Sequence, residues 1–436
     1  MGLGVEREAV PSRPRTAIRW WIFVLLLVIV TANYIDRSSI SVALPLMTKQ
    51  YHLSPLVSGL VLSAFFWTYA AMQLPSGWMA DRLKPRLLTA GSTIGWGVVE
   101  ALTALASSAG VLVLLRLLLG VFEGPVYPAG AKLNAVWLTA AERGRGGTLL
   151  DAGAPLGTAI GGVVIVGLIG LLGSWQAAFV AAGVITVVLG LVAAWFIRNA
   201  PAEHPLVSPE EVRYLEAAHA AEDAAVKGSA GRGNLFKYMR FKSFWTMCLG
   251  WLGFDVVFYG LLSWVPYYLT TFRHIPFSVS GVSVFLIFGM GFVGELIGGQ
   301  LADRWRLAGG RPNVVMRTLL GVAGVVTTAA VVVVAFTASA VAAVALLAVV
   351  LFFLRWAGLY WSVPSLLTDQ EHAGLLGGAM NFAGNVGGII APVAVGAILN
   401  ATHSFFLALM MFAAAGLLWT VSSLLMDYSR KLPVEG

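Results

Sequence analysis

Gly77-Trp78-Met79-Ala80-Asp81-Arg82 closes one apolar stretch of the chain, and Gly299-Gln300-Leu301-Ala302-Asp303-Arg304 closes another in its second half. Both read G-x-x-x-D-R at the polar end of the stretch. The same turn at corresponding places in two halves marks an internal duplication. Duplicated apolar halves are the build of secondary membrane transporters, whose sites lie between the repeats near the bilayer midplane.

The composition agrees. Of 436 residues, 58% are hydrophobic and 11% charged, with a mean hydropathy of +0.83, whereas soluble domains carry roughly 25% charged residues. No water-soluble fold hides that much apolar surface, which predicts an all-α, multi-pass membrane protein. Stretches of about 20 apolar residues span a bilayer. Twelve are predicted, six in an N-terminal half over 20–197 and six in a C-terminal half over 243–426. The third is expected near 87–107, the fourth at 110–137 and the tenth at 339–366, each as one helix. Residues 1–19 and 427–436 are polar tails.

Between the halves, 198–242 is hydrophilic and holds Pro201, Pro205 and Pro209. Within it, Ser208-Pro209-Glu210-Glu211 starts like a helix, with serine as N-cap, proline at the first helical position and acids in the first turn.

The formal net charge of +7 does not point to nucleic acid. Most basic residues sit in short loops on one face, among them Arg82, Lys84, Arg86, Arg143, Arg145, Arg304, Arg306 and Arg311, and the central segment adds more. The opposite face holds only Lys49 and Arg273. This asymmetry predicts that both termini are cytoplasmic. The apolar run after Arg19 lacks a small-residue cleavage site and reads as a first span, not a removed signal peptide. The lone Cys248 forms no internal disulfide and reads as a small core residue. No metal cluster is expected, and no P-loop or nucleophile elbow stands in a credible context. Gly157, Gly161, Gly162, Gly384, Gly387 and Gly388 read as close helix contacts. No enzyme and no cofactor are expected.

Charges inside the spans carry the functional signal, because each costs roughly 2.5–3.5 kcal/mol on insertion scales. Asp36 and Arg37 lie side by side on the first span. Arg116 and Glu123 lie on the fourth, seven residues apart, so both project from one helix face about 10 Å apart. Static interhelical ion pairs are the plainer alternative, but desolvation makes such pairs poor structural glue. Further charges are Asp151 on the fifth span, Asp255 on the seventh, Glu295 on the eighth and Arg355 on the tenth. Arg355 is expected to pair with Glu295 or Asp255, or to offer a second guanidinium to a dianionic or extended substrate. Glu100, near the end of the third span, reads as an interfacial residue. Tyr34, Tyr69, Gln73, Tyr127, Tyr259, Tyr360, Trp361, Asn381 and Asn385 are candidate cavity residues, suited to polyol hydroxyls and sugar faces.

Four motifs stand in order along the chain: Asn33-Tyr34-Ile35-Asp36-Arg37; Arg116-x6-Glu123-Gly124-Pro125-x-Tyr127-Pro128; Trp264-Val265-Pro266-Tyr267-Tyr268-Leu269; and Asn381-x3-Asn385-x-Gly387-Gly388-x3-Pro392. With the paired G-x-x-x-D-R turns they resemble the anion:cation symporter family of the major facilitator superfamily, nearly end to end. That family includes bacterial galactonate, hexuronate and glucarate transporters and the animal sialic acid and vesicular glutamate transporters. Lys84 departs from the loop motif, which has glycine there.

The resemblance implies proton-coupled uptake of an organic anion, such as a sugar acid, by alternating access across a bacterial inner membrane. It implies that Arg37 grips the substrate carboxylate, that Asp36 and Glu123 carry protons and that Arg116 switches partners. Asp151, Asp255 and Glu295 join as further proton-coupling candidates. Gly77, Asp81, Arg82, Arg86, Gly299, Asp303 and Arg304 would form a cytoplasmic gate. The family pattern has no arginine at Arg355 and mostly neutral side chains at Asp151 and Asp255. The expected partners are one small anion, protons and the bilayer, with the chain acting as a monomer. A proton-driven exporter is the alternative, suggested by Gly153-Ala154-Pro155-Leu156-Gly157 with Gly161-Gly162, but two cavity arginines suit an anion better. A membrane sensor or enzyme lacks any appended domain or catalytic cluster.

Overall fold

The computed structural model describes residues 16–226, 235–368 and 370–432; the basic N-terminal tail before Thr16 lies outside them. The described residues are helical throughout the apolar stretches, with no strand. Eleven helical segments are long and apolar enough to cross a membrane, and Pro85–Thr103 makes the twelfth. That third segment is less apolar because it carries Arg86, Glu100 and several Thr, Ser and Gly residues.

Small polar residues start the spans at their loops. Ser54 Oγ accepts the Val57 N–H at 3.3 Å, just before Pro55 opens the second span. Ser174 does the same for Ala177 at 3.2 Å, directly after Gly173, whose φ of +77° ends the fifth span in the left-handed region. Thr139 and Glu142 form a capping box at the start of that span. Such caps satisfy backbone N–H groups that a helix start leaves unpaired.

The central segment forms the helix Pro209–Val226, and the Glu211 N–H donates to Ser208 Oγ at 3.2 Å. Glu211 is tied to the start of the first span: Arg19 reaches it at 2.7 Å and Glu142 at 3.0 Å. The segment after the last span docks nearby in the second half, where the Leu432 N–H donates to the Leu367 carbonyl at 2.7 Å. Both ends of the described chain and the central helix therefore share one side of the bundle, the terminus side.

Two spans depart from the expectation of continuous helices. The fourth is divided into Ala109–Glu123 and Val126–Trp137. The division falls at Gly124-Pro125, where proline lacks the N–H and its ring crowds the preceding turn. The tenth runs as Ala340–Leu354, a 3-10 stretch Arg355–Ser362 and a short helix Val363–Leu367. A 3-10 run this long inside a span is uncommon and often marks a functional hinge.

The halves meet through the second span against the eleventh and the fifth against the eighth. Away from the terminus side, their backbones nearly touch. A Cβ on Gly59 would lie 2.5 Å from the Pro392 carbonyl oxygen, and one on Gly162 would lie 2.7 Å from Val284. Ser63 Oγ also donates to the Ile389 carbonyl at 2.7 Å. On the terminus side the same helices part: a Cβ on Gly77, Gly299, Gly374 or Gly378 would meet nothing within 4 Å. A cavity of about 560 Å³ lies between the fourth, fifth, eighth and tenth spans.

Candidate functional site

The first charged constellation is sealed inside the N-terminal half. Arg37 Nε donates to Glu123 Oε2 at 3.1 Å, joining the first span to the fourth. Glu123 is the last residue before the Gly124-Pro125 break. Their side chains are only 2% and 0% exposed. The two terminal nitrogens of Arg37 have no hydrogen-bond acceptor among the described residues. They lie instead among the rings of Tyr34, Phe65 and Tyr69, at 4.6, 4.9 and 4.5 Å from the guanidinium carbon. Desolvated cation–π contacts of this kind contribute about 2 kcal/mol each. Arg116 is buried beside them, 5.0 Å from the Phe65 ring.

Asp36 is buried, and no N–H or hydroxyl group of the described residues reaches its carboxylate oxygens. It faces Glu100, Glu123 and Arg116. Glu100 corrects the sequence expectation of an interfacial residue. It is 2% exposed and accepts a hydrogen bond from Ser39 Oγ at 3.0 Å. Ser39 stands one turn beyond Asp36, so the third span turns Glu100 inward onto the first. The acid within a span was the available signal; its place near the segment end concealed it.

The second constellation faces the cavity. Tyr127 and Asp151 line it from the N-terminal half, and Glu295, Arg355 and Trp361 from the C-terminal half. Arg355 Nε donates to Glu295 Oε2 at 3.1 Å, and a terminal nitrogen of Arg355 reaches the same oxygen. The structure thus selects Glu295 from the two expected partners. Asp255 is buried instead against Gly384 and Trp251. The Arg355 guanidinium also lies 5.1 Å from the Phe258 ring.

Other predicted residues divide by depth. Arg37 does not line the cavity in this state; it is buried, with the rings of Tyr34, Phe65 and Tyr69 packed around its guanidinium. Tyr69, Tyr259 and Asn385 are buried. Asn385 Nδ2 donates to the Asn381 carbonyl at 3.0 Å, and Gln73 Nε2 to that of Tyr69 at 3.4 Å. Tyr360 is corrected to a core residue: it is fully buried, and its hydroxyl pairs with Ser423 Oγ at 2.7 Å. Its neighbour Trp361 takes the cavity position and is 48% exposed.

At the proposed gate, Arg86 Nε donates to the Ala194 carbonyl at 2.6 Å. Arg82 lies 4.6 Å from the Trp78 ring. Asp303 and Arg304 are exposed, in keeping with halves that part on this side. The Asp81 side chain lies outside the described residues.

A profile of the Major Facilitator Superfamily matches residues 26–392. The chain is 32% identical over 382 residues to a probable sulfoacetate transporter, SauU, of Cupriavidus necator, covering 87% of each chain. It is 27% identical to a probable galactarate/D-glucarate transporter, GudP, of Escherichia coli, covering 97% of this chain and 96% of the relative. Among solved structures, it superposes with a TM-score of 0.75 on a bacterial homolog of the human lysosomal transporter Spinster, inward-facing and unoccupied. That match has 16% identity and covers 94% of this chain and 96% of the other.

Proposed function

The chain belongs to the major facilitator superfamily and is a multi-pass membrane transporter, and on that premise we propose that it carries a small organic anion into the cell together with protons. The two relatives named above are described as transporters of sulfoacetate and of galactarate/D-glucarate, all small oxyanions. A guanidinium suits such groups because its planar N–H fork matches carboxylate and sulfonate oxygens.

The observation that carries the coupling is a charge count. Asp36, Glu100 and Glu123 face Arg37 and Arg116 in one buried cluster. Fully ionised, three acids against two bases leave one uncompensated negative charge out of water, which desolvation strongly disfavours. One bound proton restores neutrality. If Arg37 then turns to a substrate oxyanion, Glu123 loses its partner and calls for another proton. Anion and proton binding are linked in this way without any cofactor.

The terminus side, rich in Arg and Lys, is the cytoplasmic side in this reading, and the described state is open to the cytoplasm in a bacterial inner membrane. The test uses purified protein in liposomes with an internal pH dye. Addition of sulfoacetate or D-glucarate under an inward proton gradient should give anion-dependent proton uptake. Proton-driven loss of a lipophilic cation instead, with no response to either anion, would overturn the reading in favour of an exporter.

A further inference from the structure

The buried cluster of the N-terminal half leaves unused the pair that actually meets the cavity. Arg355 and Glu295 have side chains 15% and 22% exposed, against 2% and 0% for Arg37 and Glu123. Arg355 directs Nε and a terminal nitrogen onto one oxygen of Glu295. The backbone is shaped around both side chains. A Cβ on Gly291 would sit 3.1 Å from Arg355 Cγ, and one on Gly358 would sit 3.0 Å from Glu295 Oε1.

The two ion pairs also occupy related places in the duplicated fold. Glu123 ends the helix before the break in the fourth span. Arg355 opens the break in the tenth, the corresponding span of the second half. Each half thus puts one member of a carboxylate–guanidinium pair at the point where its cavity helix is interrupted.

We propose that Glu295 and Arg355 form a second, anion-operated proton switch: an incoming oxyanion takes the Arg355 N–H groups, and the displaced Glu295 carboxylate takes one proton from the water on the open side. The inference rests on the anion-transport reading above. The step balances. Arg355 and Glu295 are together neutral before it; Arg355, the bound anion's engaged oxyanion group and protonated Glu295 are together neutral after it. The only covalent change is a proton transfer, an O–H of hydronium breaking as the O–H on Glu295 forms, and the proton returns to water when the anion departs and the pair re-forms.

The groups facing the pair set the direction. Asp151 lines the same cavity from the fifth span, and Asp255, buried on the seventh, lies within electrostatic range of Arg355. Tyr34 lies within electrostatic range of Arg355 from the first span, and Tyr127 lines the same cavity from the fourth. With the acids ionised, the cavity wall carries Asp151 and Glu295 against one Arg355, so an unprotonated wall repels an anion. Asp151 makes no ion pair among the described residues that an anion could displace. Glu295 is the acid that the anion must displace, and so the one that must be neutralised.

The test compares wild type with E295Q, full length, in detergent for binding and in liposomes for flux, with sulfoacetate and D-glucarate as probes. E295Q mimics the protonated state and frees Arg355. It should bind the effective anion at least tenfold tighter than wild type at pH 8, with the gap narrowing as the pH is lowered, and take up about one proton fewer per anion. The double variant E295Q/R355Q removes both charges and avoids an unpaired carboxylate; its affinity should fall at least tenfold below E295Q at pH 8. Unchanged pH dependence and proton count in E295Q overturn the switch, as does a shift seen in D151N but not in E295Q. An anion response absent from wild type overturns instead the underlying transport reading.

Discussion

Arg37 gives one nitrogen, Nε, to Glu123 at 3.1 Å, while its two terminal nitrogens have no hydrogen-bond acceptor among the described residues and lie against aromatic rings. A guanidinium held by one hydrogen bond and three rings keeps most of its donor capacity free for an oxyanion. Replacing Glu123 by the isosteric amide keeps an acceptor for Nε and removes the titrating group. E123Q should fold, bind anion, exchange anion for anion across a liposome membrane, and lose uptake driven by a proton gradient by at least tenfold. Gradient-driven uptake at the wild-type rate would remove Glu123 from the coupling device. R37A leaves a buried carboxylate without its base, and breaking such a pair costs about 3–5 kcal/mol, so it should lower the unfolding temperature far more than E123Q does.

Glu100 adds the third acid to a cluster with two bases. At alkaline pH the wild type must either retain a proton there or bury an excess negative charge. E100Q brings the cluster to two acids and two bases. The thermal midpoint of wild type should therefore fall more steeply with rising pH than that of E100Q, measured by tryptophan fluorescence in detergent from about pH 5 to pH 9. Parallel curves would show that Glu100 lies outside the charge balance.

Gly59 and Pro392 bring the second and eleventh spans into backbone contact on the side away from the termini, where an added Cβ would meet a carbonyl oxygen at 2.5 Å. Backbone cannot move aside as a side chain does, and overpacking of this kind costs about 1–3 kcal/mol. G59A should disfavour the terminus-side-open state by roughly tenfold. With the single Cys248 replaced, spin labels at Arg82 and Gly374 should report a shift toward shorter distances across the terminus side. An unchanged distance distribution would mean that this contact does not govern the equilibrium.

His204 packs edge-on against Trp137 and Phe196, with ring centroids at 5.9 and 5.2 Å. It lies in the central segment, outside the spans. Burial holds its imidazole below the usual histidine range, with Arg198 adding repulsion. The folded segment therefore stays neutral at a pH where the released segment takes a proton. Its contribution to stability is intact above about pH 6.5 and is lost as the pH falls below it. Hydrogen exchange in 200–210 should speed up at pH 5.5 relative to pH 7.5, after correction for intrinsic rates. That acid-induced difference should vanish in H204F.

Much of this was legible in the chain. Span count followed from apolar length, and the duplication from the G-x-x-x-D-R turns. Ser208 capped the helix at Pro209 because a serine hydroxyl before a proline and two acids suits a helix start in any surroundings. Asp36, Arg37, Arg116 and Glu123 stood out because charge at bilayer depth is costly wherever it falls. The break at Gly124-Pro125 was visible as a dipeptide but not as a break, since neighbouring helices in a membrane often repair what proline disrupts.

Sequence alone determined which residues are too costly to be idle and that two like halves enclose them, because insertion cost and helix caps act locally. Only the tertiary structure decided their company. It placed Glu100 against Asp36, gave Arg355 to Glu295 and not to Asp255, put Tyr360 in the core with Trp361 in the cavity, and buried Arg37 among Tyr34, Phe65 and Tyr69. Each outcome depends on how helices rotate and cross, and a rotation of one residue, about 100°, carries a side chain from a sealed interior to an open cavity.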